Sequence, residues 1–462
     1  MFTGDKLIIW ISNRLMVYHL SSPLQREIKD RLTISNPVWE ENQRMGRWNG
    51  NTPRLLHYYE ETSPGLITPR GFLPQLISAV RGVGGRFRIE DHRRVLPLVE
   101  FKFQGQLRPF QLEAAKRMLS KDMGTIAAPT GSGKTIIALY MIAQRKQPAL
   151  IIVHTKELLN QWANRIEQFL NIPSNEVGRI GDGERTTGKK ITVALVQTLF
   201  KCSSQVSPHI GYLIVDECHR TPSRTFTEAV SAFDCKFITG LSATPWRRDK
   251  LSKLIFWYVG DVAHEVNKAD LIETGEVLPA EVIWRETNFQ PYSDPTTEYS
   301  QMLSELTEDR SRNNLIAQDV AGEATNGGGI CLVLSDRKSH CESIHSLLSK
   351  KGIQSHVLTG DLSNGSRKEI VEALNSGHIK ILIATGQLIG EGFDCKELST
   401  LFLTTPIRFD GRLIQYLGRV LRTAPGKEKA KVFDYIDSKV GVLKAAAAAR
   451  GKVYGNQFQQ HS

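Results

Sequence analysis

Ala128-Pro129-Thr130-Gly131-Ser132-Gly133-Lys134-Thr135 stands between an apolar stretch, Thr125–Ala128, and a second apolar run that begins at Ile136. A strand that runs into a glycine-bearing loop and then a helix has the local geometry of a phosphate cradle. Phosphate oxygens need several backbone N–H groups converging on them, and glycines let the chain wrap that closely. The helix that follows offers the positive end of its dipole. In such a loop Pro129, Thr130, Gly131, Ser132 and Gly133 surround the anion. Lys134 reaches the outer phosphates and the Thr135 hydroxyl ligates Mg²⁺. The full pattern opens on glycine where this chain has Ala128. A glycine-rich turn with a stray lysine is the bland alternative, and the strand-loop-helix context weighs against it.

Working outward, Tyr212–Val215 is another apolar run, and it leads into Asp216-Glu217-Cys218-His219. Acids at the end of such a strand sit at the carboxyl edge of a sheet, where sites of α/β folds gather. Asp216 is expected to hold Mg²⁺ through water, and Glu217 to orient and deprotonate the water attacking the γ-phosphate. His219 suits a relay between this site and another domain, and Cys218 reads as packing.

Further strands are expected at Ala149–His154, Ile191–Val196 and Phe237–Leu241, apolar throughout and separated by helical stretches. That pattern predicts a parallel sheet buried on both faces. A second series, Ile330–Leu334, Gln354–Leu358, Ile381–Ala384, Leu401–Thr404 and Lys431–Tyr435, predicts a second such sheet. The join falls near Val266–Pro279. Arg285–Pro295 reads as irregular, Glu298–Thr325 as helical, and the alanine-rich tail around Lys444–Arg450 as a helix. Residues 1–98 differ in character: a hairpin from Leu7–Ile11 and Leu15–Tyr18, a helix over Leu24–Leu32, and a helix opened by Pro74 and ended by Arg81–Gly85. The expected division is a small α+β domain over 1–98, then α/β domains over 99–268 and 269–462.

Composition bounds the rest. Of 462 residues, 40% are apolar and 23% charged, which excludes wholesale disorder. A net charge of +11 suits a polyanionic partner, nucleic acid before a membrane surface. Six scattered cysteines without a C-x-x-C pair predict neither structural zinc nor disulfides and fit a reducing compartment. No apolar run reaches membrane-spanning length, so an intracellular protein is expected.

The phosphate loop and the acidic pair resemble motifs of superfamily 2 helicases, and other motifs follow in the family's order. Leu107-Arg108-Pro109-Phe110-Gln111 is similar to the adenine-side segment, which implicates Arg108 and Gln111 in ATP binding. His154-Thr155-Lys156 and Gln197-Thr198 resemble strand-contacting motifs of the first motor domain. Ser242-Ala243-Thr244-Pro245 resembles the coupling motif. Thr359-Gly360 and Ile383-Ala384-Thr385 through Glu391-Gly392-Phe393-Asp394 are similar to nucleic-acid and nucleotide contacts of the second, with Gly392 and Asp394 on the ATP side. Gln415-Tyr416-Leu417-Gly418-Arg419-Val420-Leu421-Arg422 resembles the arginine-finger motif, and implies catalytic roles for Gln415, Arg419 and Arg422. The resemblance thus implies two tandem RecA-like parallel-sheet motor domains with ATP bound between them. Arginines three apart share a helix face if that segment is helical. A guanidinium brought from a second domain offsets the charge spread over a transferring phosphoryl group.

Within the superfamily, Asp216-Glu217-Cys218-His219 and Gly240–Asp249 look most like the XPB-like and type III restriction-like branch, whose members move on DNA. DEAD-box RNA proteins carry Asp where His219 stands. Tyr416 occupies a place where many relatives have Arg, and Arg247-Arg248-Asp249 only approximates an Arg-Glu-Asp element of that branch. In the first hundred residues Asn36-Pro37, Arg44-Met45-Gly46-Arg47-Trp48-Asn49-Gly50, Arg54-Leu55-Leu56 and Gly65-Leu66 are similar to the start of UvsW-like phage helicases, which remodel branched DNA. Arg44, Arg47 and Trp48 are the expected DNA contacts there, arginine for phosphates and an aromatic ring for opened bases. The resemblance implies an ATP- and Mg²⁺-dependent DNA helicase, 3′ to 5′, that unwinds or branch-migrates forked and junction DNA. A duplex translocase without strand separation, an RNA helicase and a nucleic-acid clamp with a vestigial ATPase stay open as alternatives.

Overall fold

Leu7–Ile11 and Arg14–Tyr18 pair antiparallel about the turn at Ser12–Asn13, and alternate residues of the pair (Leu7, Ile9, Ile11, Leu15, Val17) are buried. That period of two is the signature of a sheet covered on one face. In this computed structural model the described residues are all except 1–6, 64, 221–223, 244–250, 268–270, 272–274, 276, 327–328, 363, 387–394, 396, 408–409, 425–426 and 459–462. Across the first sheet the order is Glu60–Thr62, Gly65–Pro69, Arg14–Tyr18, Leu7–Ile11, Phe87–Asp91, antiparallel except for the last pair. Helices Ser22–Arg31 and Leu73–Gly82 lay Leu24, Ile28, Leu76 and Val80 into the same core. A further helix, Pro37–Arg44, lies in the polar segment where no element is expected from the sequence pattern. Asn36 caps it by accepting from the Val38 N–H at 3.1 Å.

The next sheet has eight strands, ordered Glu184–Arg185, Gly178–Gly181, Ile191–Leu195, Ala149–Val153, Tyr212–Val215, Phe237–Ser242, Met123–Ala127, Val262–Glu265. Every neighbouring pair is parallel except the first. Ala149–Val153, Ile191–Leu195 and Tyr212–Val215 are buried at every position. This is why they read as continuous apolar runs: helices cover both faces.

Helix Ser252–Val259 joins this sheet to the first one, since its Leu254 and Trp257 lie in the core of the N-terminal fold. Gly71 makes that approach possible; a Cβ there would lie 2.2 Å from the Phe256 carbonyl oxygen. Buried Arg70 donates to the Cys235 carbonyl at 2.7 Å, and Asn13 donates to that of Ser231 at 2.6 Å. Residues 1–128 and 133–266 accordingly form one compact unit; residues 267–462, with 129–132, form the other.

The second unit holds a six-stranded, all-parallel sheet ordered Ala280–Glu286, Ala430–Ile436, Leu398–Leu403, Ile330–Ser335, Ile381–Thr385, His356–Leu358. One expectation changes here: Arg285 belongs to a regular edge strand rather than to an irregular segment. The stretch Glu298–Thr325 is helical as expected, in two helices, Tyr299–Glu308 and Arg310–Asn326, parted at Asp309, whose carboxylate accepts the Arg312 N–H at 2.7 Å and starts the second. The C-terminal helix spans Gly441–Phe458, and the ion pair of its Arg450 with Asp434 ties it down at 2.6 Å. All six cysteines are free and buried. No helix among the described residues is long and apolar enough to cross a membrane.

Candidate nucleotide and nucleic-acid site

The parallel arrangement brings the ends of Met123–Ala127, Ala149–Val153, Ile191–Leu195, Tyr212–Val215 and Phe237–Ser242 to one edge of the eight-stranded sheet. The phosphate loop, Thr155-Lys156, Gln197-Thr198, Asp216-Glu217 and Ser242-Ala243 all leave from that edge.

In the loop, Gly131 and Gly133 take left-handed backbone angles, φ +91° and +80°. At Gly133 a Cβ would lie 2.5 Å from the Gln111 amide nitrogen, so a side chain would push the amide out. Lys134 opens helix Lys134–Arg145 and donates to the Ala128 carbonyl at 3.0 Å, and Ser132 Oγ donates to the Pro129 carbonyl at 2.7 Å. Gln111 is buried at the start of helix Pro109–Leu119 and accepts the Arg108 N–H at 3.0 Å. The capping contact thus aims the Gln111 amide at the loop. Thr135, in the first helical turn, is half-buried.

Asp216 is buried; the Trp162 indole N–H donates to it at 2.8 Å and the Glu217 N–H at 3.0 Å. Burial and the neighbouring Glu217 raise its pKa above the ordinary carboxylate range. Burial opposes charge on Glu217 as well, yet the adjacent His219 ring and the Lys134 and Arg220 charges outweigh it and hold that carboxyl low. Glu217 also sits at φ +48°, a left-handed angle that costs a non-glycine residue about 1–2 kcal/mol and recurs at functional sites. His219 is buried with Nδ1 3.0 Å from Ser242 Oγ and 3.2 Å from Glu217 Oε2. The Ser242 carbonyl in turn accepts the Ala128 N–H at 2.9 Å. An unbroken series of contacts therefore joins the start of the phosphate loop, the Ser242 strand end, His219 and Glu217.

The residues fit a nucleoside triphosphate with Mg²⁺: a loop whose left-handed glycine a Cβ would spoil, a lysine at its mouth, and a hydroxyl and a buried carboxylate as oxygen donors. Asp216, costly to charge when buried alone, suits a position that a cation shares.

The expected nucleic-acid contacts differ in what they are free to do. Thr155 caps helix Lys156–Leu170, accepting the Leu158 N–H at 3.3 Å, so its hydroxyl already serves the helix. Lys156 pairs with Asp182. Gln197 is exposed and Thr198 half-buried. In the second unit Thr359 is buried, Gly360 exposed, and Thr385 ends strand Ile381–Thr385. Arg44 and Arg47 are exposed, and Trp48 is 91% exposed. Thr244, Gly392, Asp394 and the Arg247–Asp249 segment lie outside the described residues, as does the side chain of Gln415.

The finger motif needs a correction. Helix Asp410–Val420 contains Arg419 but ends before Arg422, so the two arginines do not share a continuous helix face. Arg422 instead forms an isolated bridge with Val277. Tyr416 is buried, and its hydroxyl donates to the Gly386 carbonyl at 2.8 Å; it ties this helix to the segment after Ile381–Thr385. Sequence reasoning missed Trp162 and Lys427. Trp162 reads as an ordinary apolar position of an amphipathic helix, and only the fold sets its indole against Asp216. Lys427 donates to the carbonyls of Val420 at 2.6 Å and Arg422 at 2.8 Å.

Residues 104–247 match the family model described as type III restriction enzyme, res subunit, and residues 303–424 match the helicase conserved C-terminal domain. A protein of Acanthamoeba polyphaga mimivirus, named as an ATP-dependent RNA helicase, is 26% identical over 78% of this chain and 70% of its own length. The DNA 3'-5' translocase XPB2 of Sulfurisphaera tokodaii is 34% identical over a shorter stretch, 38% of this chain and 39% of that one. The ATP-dependent DNA helicase uvsW of Enterobacteria phage T4 is 24% identical over 76% of this chain and 72% of its own. Among solved structures, a fragment of an HsdR-type subunit of a type I restriction enzyme from Vibrio vulnificus shares the fold, with TM-score 0.58 and 17% identity over 78% of this chain and 68% of that chain.

Proposed function

Since the chain belongs to the superfamily 2 helicases, an ATP-driven class, we propose that it hydrolyses ATP with Mg²⁺ to move on DNA and remodel forks and junctions, working 3′ to 5′. The observation that carries the ATPase part is the contact series from the phosphate loop through Ser242 and His219 to Glu217. Lys134 offsets charge on the outer phosphates, with Pro129–Gly133 around them and Arg108 and Gln111 on the adenine side. Thr135 and Asp216 would hold the Mg²⁺, which would supply neutralisation of the phosphate charge. Glu217, held ionised by its cationic neighbours, orients the water and accepts its proton. Arg419 and Arg422, with Gln415, act on the charge that develops on the transferring group. Gly392 and Asp394 complete the nucleotide contacts, and His219, Ser242, Ala243 and Thr244 couple the site to movement.

Thr155, Lys156, Gln197, Thr198, Thr359, Gly360 and Thr385 are assigned to the strand being tracked. Arg44, Arg47 and the exposed Trp48 are assigned to the branched part of the substrate. This divides the chain functionally into 1–98, 99–268 and 269–462. The DNA assignment is supported by the net positive charge, by His219 where DEAD-box RNA proteins carry Asp, and by what the names of the XPB2 and uvsW relatives say of those proteins.

Lys134→Ala and Glu217→Gln should each abolish nucleic-acid-stimulated ATP hydrolysis, by about a thousandfold or more; turnover at the wild-type rate rejects the site assignment. The substrate is decided by ATP-driven unwinding of a Holliday junction, a fork, a tailed duplex and an RNA duplex in parallel. The junction and fork should be processed fastest. Preference for the RNA duplex would transfer the mimivirus relative's named substrate to this chain instead.

A further inference from the structure

Helix Asp410–Val420 stops short of Arg422, so helix geometry alone does not fix where the second arginine projects. The backbone between them is held from outside on two flanks. On one flank Leu278 N–H donates to the Leu421 carbonyl at 2.9 Å, and Val277 bridges Arg422. On the other, Lys427 Nζ reaches the carbonyls of both Val420 and Arg422, at 2.6 and 2.8 Å. The last carbonyls of a helix have no partner within it, and a cation placed there also meets the negative end of the helix dipole. Leu421, between the two clamped carbonyls, is buried.

Lys427 is itself half-buried. Burial lowers its pKa to about 8, Cys395 and Glu397 act to keep it charged, and Arg422 acts against. A lysine with only a solvated role keeps its ammonium in water, where hydration is strongest. This one gives part of that up and takes two backbone carbonyls in exchange, at the turn where the arginine motif ends.

We propose that Lys427 is a positioning residue for ATP turnover: its ammonium clamps the Val420 and Arg422 carbonyls and so fixes the backbone from which Arg419 and Arg422 project. This rests on the role assigned to those two arginines above. Donors that stabilise transition-state charge must be placed to within a fraction of an ångström, because their strength lies in not having to reorganise. A loosened turn leaves ATP binding at the loop and Gln111 intact and removes stabilisation needed only in the transition state. The effect therefore belongs in kcat, not in KM for ATP.

The test uses the full chain with a single-stranded DNA activator, steady-state ATP hydrolysis and thermal melting, for K427M, K427Q, K427R, R419A and R422A. K427M should lower kcat by about tenfold to a hundredfold with KM for ATP unchanged. K427R, which keeps the charge and the donors, should recover most of the loss. K427Q, with a donor but no charge, should fall between, and it stands in for K427M if that variant does not fold. Wild-type kcat in K427M or K427Q, while R419A or R422A loses turnover, overturns the positioning role and leaves the arginine assignment standing. So does a K427R variant no better than K427M, or a loss that appears in KM. Wild-type kcat in both arginine variants removes the arginine assignment itself, and with it anything for Lys427 to position.

Discussion

His154 and His340 show how single side chains couple this fold to pH. His154, at the carboxyl end of strand Ala149–Val153, is held down to about 4 by burial and by the Arg220 and His219 charges. His340 is held down to about 3 by burial and by Arg312, while its ring nitrogens contact Ser335 Oγ at 2.9 Å and Asn313 Oδ1 at 2.8 Å. Both are neutral in the folded chain, whereas an unfolded histidine takes a proton below about 6.5. Between that value and the folded one the unfolded state binds more protons, so stability rises with pH in that window. The contribution is fully present above about 6.5 and is lost as the pH falls toward 4, up to roughly 3 kcal/mol for each histidine. The urea midpoint should therefore fall steeply from pH 6.5 to 4.5, and His340→Gln should flatten part of that slope. An unchanged slope in the variant would show that other groups set the acid limit.

At the scale of elements, what could be read in advance was what the chain encodes within a dozen residues. Ala128–Thr135 and Asp216–His219 were legible because a phosphate cradle and a pair of acids at a strand end are built from neighbours in sequence. The strands of the two parallel sheets were legible because burial on both faces makes them continuously apolar. Ala280–Glu286 was not: Glu281, Arg285 and Glu286 on a half-exposed edge strand interrupt the apolar run. The break at Asp309 was hidden by good helix formers on both sides; there the Asp309 carboxylate caps the second helix at Arg312 and the Asn313 amide donates to the Thr307 carbonyl of the first. Asp309→Ala should remove that cap and cost about 1 kcal/mol, read as a lower melting temperature of the second unit with turnover kept; an unaltered melt would mean the break is set by packing instead. Partnerships across long sequence distances, Trp162 with Asp216 or Arg70 with the Cys235 carbonyl, leave no local mark at all, because either residue alone reads as an ordinary core or surface position. Lys427 is legible only as a charge in a polar stretch until the fold brings Val420 and Arg422 to it.

For the molecule as a whole, the N-terminal fold cannot be treated as a removable appendage of the first parallel sheet. Leu254 and Trp257 are 3% and 1% exposed because residues of the first hundred cover them. Arg94 and Leu96 continue the attachment, through the Ser207 carbonyl and the Gln147 amide at 2.7 and 2.8 Å. Deleting residues 1–98 would uncover a tryptophan and a leucine, each worth about 1.5–3 kcal/mol of burial, and leave the contacts of Arg70 unmade. Such a chain should aggregate or melt early, so a loss of DNA binding in it says nothing about Arg44, Arg47 or Trp48. Those three are exposed, and the triple alanine variant should melt with the wild type while binding a Holliday junction about tenfold or more weakly. The attachment is tested separately at Gly71. A Cβ there meets the Phe256 carbonyl oxygen at 2.2 Å and that of Trp257 at 2.6 Å, both backbone atoms that cannot swing aside. Gly71→Ala must therefore push the N-terminal fold off helix Ser252–Val259 or bend that helix. Overpacking of this kind costs about 1–3 kcal/mol. The expected readout is a lower melting temperature for the first unit, faster proteolysis between residues 91 and 99, and junction affinity per folded molecule close to wild type. A variant that melts with the wild type would mean the two folds move past each other freely.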